Sequence, residues 1–143
     1  MTPTDLSPCI ITEKIDACKA FYLEHFNVTL LFDCGWYISL ALNDNKPQPA
    51  SIQFMSPQSP QQLTFQGQGL TYNLLVASAD DFYNKLVTQN NLTPIMPLED
   101  HPWGDRGFSI ADPTGINLYI FHPIKASEEF QAAFKDPESP SSA

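Results

Sequence analysis

The sequence predicts an α+β fold built from two similar βαβββ halves, and three observations carry that prediction. Short apolar runs of strand type alternate with two stretches of helical spacing, in the order strand, helix, three strands, and the order then repeats. An aromatic pair in the first helical stretch, Phe21-Tyr22, recurs 61 residues later as Phe82-Tyr83 in the second. Between the halves lies SPQSPQQLTFQGQG, residues 56–69, whose Ser, Pro, Gln and Gly content suits a connection rather than a core.

In chain order, Pro8-Cys9-Ile10-Ile11 is a short apolar run bounded by polar residues and reads as the first strand. From Ile15 to Phe26 apolar residues return at helical intervals through Cys18, Ala20, Phe21 and Tyr22, with Lys19 and Glu24 facing water and Asn27 as the stop. Val28 to Phe32 and Trp36 to Leu42 form a hairpin about Asp33-Cys34-Gly35. Asn43 to Pro47 is loop, and SIQFM, Ser51 to Met55, is the fourth strand. The second half opens with a strand from Leu70 to Val76 and a helix from Ala79 to Gln89 that turns Phe82, Tyr83, Leu86 and Val87 inward. Thr93 to Leu98 is extended but holds two prolines, which suits an edge or a bulge. Gly107 to Ala111 and Ile116 to Phe121 are strands joined by Asp112-Pro113-Thr114-Gly115, a turn in which proline presets φ and glycine accepts a positive one. The tail after Pro123 carries one short helix over Ser127 to Phe134 with Ser127 as N-cap, and the final DPESPSSA is expected to be disordered. The organisation is a single domain over residues 1–122, with module one at 7–56, a linker at 57–69 and module two at 70–122, followed by the tail at 123–143.

The 143 residues suffice for one domain with its own core, and a hydrophobic fraction of 43% is ordinary for a globular chain. Sixteen acids against seven bases give a net charge of −9, which repels phosphate backbones and anionic lipid. Nucleic-acid and membrane binding are therefore set aside, while neutral or cationic partners stay open; solubility alone accounts for the same acidity. Cys9, Cys18 and Cys34 form an odd set without a CxxC pair, which points to a reducing compartment. No apolar run reaches the length of a membrane helix, and MTPTDLSP has no basic-then-apolar leader, so the cytoplasm is the expected location.

The segment His101-Pro102-Trp103-Gly104-Asp105-Arg106-Gly107-Phe108, continuing through Ser109 to Ala111 into the Asp112-Pro113-Thr114-Gly115 turn, resembles the vicinal oxygen chelate superfamily. Phe21-Tyr22 with Leu23 to Val28 adds to the resemblance, which spans about residues 7–122. That superfamily holds glyoxalases, extradiol dioxygenases and bleomycin-resistance proteins, and the likeness is to the bleomycin-resistance-like branch. It implies two βαβββ modules that curl a mixed, largely antiparallel sheet into a half-open cup. Metal-dependent members take one ligand, usually His, Gln or Glu, from the first and the last strand of each module. Alignment by this chain's own landmarks puts those positions at Ser7, Gln53, Thr71 and Tyr119. A shift of one residue, to Leu6, Pro8, Leu70, Tyr72, Leu118 or Ile120, offers nothing better. Gln53 is the one acceptable donor, so the expectation is no metal and no cofactor.

Other chemistry-bearing residues have plain readings. Cys9 and Cys18 read as core filler and Cys34 as a turn residue, while His25 and His122 read as surface groups at element ends. His101, beside Asp100 on the loop before Pro-Trp-Gly, could act as a general acid or base or be a hydrogen-bonded loop residue. Arg106 could pair with an acid such as Asp105 or receive an anionic group. Trp36, Tyr37, Phe54, Gln53, Tyr72, Tyr119 and Trp103 complete the ligand-binding candidates, although an aromatic residue in a strand, Phe54 above all, is as often core. Rings with hydrogen-bonding tips suit a planar, neutral or cationic small molecule. In the resistance proteins that the sequence resembles, the Trp of Pro-Trp-Gly helps stack the drug, which singles out Trp103. The expected function is metal-free binding and sequestration of a small organic molecule, with a homodimer implied by the resemblance. The alternatives are a lyase, isomerase or dioxygenase of the same superfamily, metal-dependent or metal-free, using groups such as His101, Tyr72 or Tyr119, and a non-catalytic interaction module whose cup is filled.

Overall fold

The structure is a computed structural model that describes residues 1–43, 47 and 49–135. The expected disorder of residues 136–143, and residues 44–46 of the expected loop, lie outside the described residues. Two four-stranded mixed sheets are formed. The first half runs β1 (Cys9–Ile11), α1 (Ile15–Phe26), β2 (Thr29–Asp33), β3 (Tyr37–Ala41) and β4 (Ser51–Met55). The second runs β5 (Thr71–Leu75), α2 (Ala79–Tyr83), β6 (Met96–His101), β7 (Asp105–Ala111) and β8 (Asn117–Pro123), with α3 (Glu128–Gln131) after it. The expected βαβββ order therefore occurs twice. The sheet orders, β1-β4-β3-β2 and β5-β8-β7-β6, are the same arrangement repeated. In each, the module's first strand lies parallel to its last and the other pairs are antiparallel. Among the described residues, no helix is long and apolar enough to cross a membrane.

The chain forms two compact units: Met1–Leu70 with Asp112–Ile116, and Thr71–Ala111 with the described residues from Asn117 onward. In the first unit, α1 stops at Asn27, whose φ of 52° is left-handed and ends the helical run as the sequence predicts. The helix buries Ile15, Cys18, Tyr22 and His25 and packs on β3 and β4. Period-two alternation in β4 sends Ile52 and Phe54 beneath the helix, where the Tyr22 and Phe54 rings lie 5.7 Å apart. Burial of each such side chain stabilises the unit by about 1.5–3 kcal/mol. Residues of the expected linker pack here too, with Phe65 N–H donating to the Ile11 carbonyl at 2.8 Å.

The Asp112–Ile116 turn belongs to this unit and is organised by one buried carboxylate. Asp112 accepts from Thr114 N–H, Thr114 Oγ1, Ile116 N–H and Tyr22 Oη at 2.7–3.1 Å. A charged group with four donors has its solvation replaced by the protein. Gly115, at φ 94°, meets the Gly67 backbone so closely that a Cβ there would lie 2.9 Å from Gly67 Cα.

In the second unit, α2 starts at Ser78, whose Oγ accepts Asp81 N–H at 3.1 Å, and His122 Nδ1 accepts Ala79 N–H at 2.9 Å. The predicted helix to Gln89 is present but changes pitch: Asn84–Gln89 is π-helical, and Asn90 N–H reaches back five residues to the Lys85 carbonyl. Its partners on the sheet are Phe108, Ile110, Leu118 and Ile120, all buried, with the Tyr83 and Phe108 rings meeting edge to face at 5.2 Å.

Several local expectations are corrected. Cys9 is exposed, because it opens the three-residue strand β1, whereas Cys18 is fully buried. His25 is buried against Phe21, ring centroids 4.9 Å apart, because the last turn of α1 still faces the core. His122 is half-buried through its bond to α2. Lys19 is engaged by Asp33 at 2.7 Å. The edge strand expected at 93–98 is shifted to Met96–His101, and β7 starts two residues earlier than expected. His101 is thus the last residue of a strand and not part of a loop. Ser127 occupies the N-cap position of α3 without a side-chain cap bond.

Candidate functional site

A polar constellation lies on one face of the second sheet, built by three strands. The β6–β7 hairpin turns through Pro102-Trp103-Gly104, with Gly104 at φ 112° and its N–H on the His101 carbonyl at 3.1 Å. Register then sets His101 opposite Asp105 and Glu99 opposite Gly107. On β8, Tyr119 stands next to these residues and Phe121 lies opposite Gly107. The resulting cluster shares three close contacts about Asp105 Oδ1. Tyr119 Oη donates to it, His101 Nδ1 lies 2.8 Å away, and Tyr119 Oη and His101 Nδ1 are 2.9 Å from each other. Asp105 Oδ2 accepts the Trp103 indole N–H at 2.8 Å.

This cluster exists because Gly107 leaves room for it. A Cβ at that position would lie 2.6 Å from the Ile120 carbonyl oxygen, 2.8 Å from Phe121 Cβ and 2.9 Å from Tyr119 Cζ. The Tyr119 ring therefore lies across a bare stretch of β7 and reaches Asp105, with Phe121 stacked on it at 5.4 Å. Burial, and then the Asp105 carboxylate, raise the Tyr119 pKa, so the phenol stays a proton donor.

Trp103 is the exposed member. Its ring lies parallel to His101, 1° between planes and 4.5 Å between centroids, and the Phe130 ring meets it edge-on at 6.4 Å. The tail delivers Phe130 through two bonds to the hairpin turn, Ile124 N–H to the Gly104 carbonyl and Ser127 N–H to the Pro102 carbonyl, at 2.9 and 2.8 Å. Trp103, Phe130, Ala133 and Phe134 line a shallow cleft of 160 Å³.

The structure therefore brings His101, Trp103 and Tyr119 together. Arg106 belongs to the opposite face, where its fork holds Asp80 through Nε and Nη2, both at 3.0 Å, and Asp100 through Nη1 at 3.1 Å. That fork pulls the Asp80 carboxyl below its usual pKa and raises that of Arg106. Tyr72 is paired in register with Leu118 and shares its face, away from Tyr119. The remaining candidates lie in the first unit. Phe54 is core and Gln53 faces the other way, its Nε2 donating to Ser39 and Ser51 hydroxyls at 3.0 and 2.9 Å while the buried Oε1 has no partner. Trp36 and Tyr37 are neighbours at 6.1 Å, with Phe32 6.0 Å from Tyr37.

The sequence alone does not single out Asp105, Glu99, Gly107, Phe121, Phe130 or Phe134 for this site. Asp105 and Gly107 share a period-two face with Ser109, a signal legible once β7 is begun at Asp105. Phe130 and Phe134 carry an i, i+4 spacing.

The positions to which the sequence resemblance assigns metal ligands hold a different chemistry. Ser7 is exposed, Gln53 spends its amide nitrogen on two serines, Thr71 Oγ1 accepts from Asn117 Nδ2 at 3.1 Å, and Tyr119 is committed to Asp105. Hydroxyls and one amide do not fit a divalent ion that is held elsewhere by imidazole and carboxylate. Among the described residues, no three His, Cys, Asp or Glu side chains are grouped to hold a metal.

Comparison with known proteins agrees with this architecture. The chain belongs to the glyoxalase-like domain family, whose model matches residues 6–125. An uncharacterized protein of Mycobacterium bovis is 31% identical, the match covering 90% of each chain. A glyoxalase/bleomycin resistance protein/dioxygenase from Nocardioides superposes with a TM-score of 0.70 at 18% identity, over 87% of this chain and 86% of that one. An antibiotic binding protein from Streptomyces sp. CB03234 superposes with a TM-score of 0.66 at 20% identity, over 86% of this chain and 98% of that one. At those identities the two structural likenesses show the fold alone.

Proposed function

We propose that this chain is a metal-free binding protein for a planar, neutral or cationic organic molecule, which it sequesters without chemical change. One observation carries the reading: Trp103 is fixed by its stack on His101 and its bond to Asp105, yet it is 45% exposed. An indole already immobilised has little rotamer entropy left to lose when a flat ligand stacks on it. The adjoining apolar cleft extends the surface, and the Asp105 and Glu99 carboxylates together with the net charge of −9 favour a cation over an anion. The donor set at the chelating positions supports binding without a metal, and a fold shared with an antibiotic binding protein supports the ligand class. A homodimer, a cytoplasmic setting and the absence of nucleic-acid and membrane partners belong to the same proposal.

The chain has two tryptophans, so Trp36→Phe leaves Trp103 as the sole indole reporter. Titration of that protein with planar dyes should quench its fluorescence saturably, and Trp103→Ala should weaken binding about tenfold or more, as loss of an aromatic stacking partner does. Unchanged dye affinity in Trp103→Ala refutes the reading. A metal-free lyase or isomerase is the second reading, favoured by the close grouping of His101 Nδ1, the Asp105 carboxylate and the Tyr119 hydroxyl. Mass spectrometry of the released ligand separates the two, since a binder returns it unchanged.

A further inference from the structure

We infer that the tail after β8 is part of the binding site: Phe130 and Phe134, with Trp103, form a slot for one neutral aromatic ring of the ligand. The inference rests on the binding reading above and adds the residues that wall the site and the group that enters it. The hairpin turn seats the tail. Gly104 has no side chain where Ile124 and Ala126 pass, and a Cβ there would lie 3.2 Å from Ala126 Cβ and 3.3 Å from the Ile124 carbonyl oxygen. The backbone bonds from Ile124 and Ser127 to this turn then fix where α3 starts. Past α3 the chain keeps turning, with Ala133 N–H on the Phe130 carbonyl at 3.0 Å and Phe134 N–H on the Gln131 carbonyl at 3.4 Å. Ala133 and Phe134 thereby come round to the cleft that Phe130 and Trp103 share.

Size and polarity name the occupant. The cleft holds 160 Å³. A void of about 150 Å³ takes a single benzene ring, whereas pockets for whole drug-sized molecules start at about 300 Å³. The cleft therefore admits one ring of a ligand and leaves the rest outside. All four lining residues are apolar, so an ionised group entering it would give up its hydration without gaining a partner. Aromatic walls favour an aromatic guest, because ring faces and ring edges carry opposite partial charge. With Trp103 45% and Phe134 67% exposed, both walls are open to a ligand arriving from solvent. The chain's own C-terminus offers no substitute, since residues 136–143, DPESPSSA, contain no aromatic side chain.

A suitable probe is para-fluorobenzyl alcohol, a neutral single ring whose binding is followed by fluorine NMR. The full chain should bind it saturably, with a dissociation constant on the order of 1–10 mM for so small a ligand. Phe134→Ala, at an exposed side chain, should weaken binding about threefold or more, and so should Trp103→Ala. Benzyl alcohol should displace the probe about threefold or more effectively than cyclohexylmethanol, which has the same polar group on a ring that is not flat. Circular dichroism checks that each variant is folded. Proflavine binding that depends on Trp103, with no saturable binding of the probe, overturns the slot and leaves the binding reading standing. Unchanged probe affinity in Phe134→Ala overturns the slot, as does equal displacement by the two alcohols. Self-association that excludes the probe, and that Phe134→Ala abolishes in sedimentation, also overturns it, because a second chain then fills the cleft. Failure of both proflavine and the probe to bind overturns both readings.

Discussion

Replacing Tyr119 by Phe removes one hydroxyl and keeps the ring over Gly107. Asp105 then loses one of its three donors while His101 Nδ1 and Trp103 Nε1 remain. A bond to a charged acceptor is worth about 1.5–3 kcal/mol, and because the Asp105 side chain is 14% exposed, water replaces part of it. The expected loss at pH 7 is about 1–2 kcal/mol in urea unfolding. The pH dependence gives the sharper signature. The Tyr119 pKa is raised by burial and then by Asp105, so the folded state holds that proton more tightly than the unfolded chain does. Its stabilising contribution is whole below the ordinary tyrosine value, about pH 10, and falls by about 1.4 kcal/mol per pH unit above it, until the folded pKa is reached. Unfolding of wild type and Tyr119→Phe should therefore converge between pH 10 and 11. A loss under about 0.3 kcal/mol at pH 7, or two stability curves that run parallel from pH 9 to 11, refutes the reasoning.

Gly107→Ala should destabilise the protein by about 2–3 kcal/mol in the same assay, through overpacking against the backbone of β8. Tyr119→Ala in that background should restore little, because the shortest contact, 2.6 Å, is to the Ile120 carbonyl oxygen. Asp112→Ala strands several buried donors and should cost about 3–5 kcal/mol, and a double-mutant cycle with Tyr22→Phe should return a coupling above about 0.5 kcal/mol. The Cys18 thiol is pushed up to about 12, first by burial and then by Asp112, while Cys9 and Cys34 are exposed. Ellman's reagent at pH 8 should accordingly titrate two thiols in the folded protein and the third only after denaturation.

Much of the architecture was legible in the residues because each module repeats the same local signals. Phe21-Tyr22 and Phe82-Tyr83, the αL stop at Asn27 and the Asp-Pro-Thr-Gly turn are short-range features, and short-range physics decides them. The candidate site was legible only where a motif names its residue, as Pro-Trp-Gly does for Trp103. Register is not a local property. The pairing of His101 with Asp105, and the lie of Tyr119 over Gly107, depend on β6 being shifted toward its C-terminal end, and two prolines pointed to an earlier edge. Without register, the sequence groups Tyr72 and Arg106 with Tyr119, although alternation puts them on the opposite face. His25 departs from its expected surface position for a related reason: the end of α1 is still within the stripe that begins at Ile15 and passes through Cys18 and Tyr22.

The most direct test of the central claim is a crystal structure of the protein soaked with proflavine and nickel together. The dye should lie flat on the Trp103 indole beside Phe130, with no ion held at Gln53 or Tyr119. A nickel ion coordinated there by several protein atoms, with the indole bare, would contradict it.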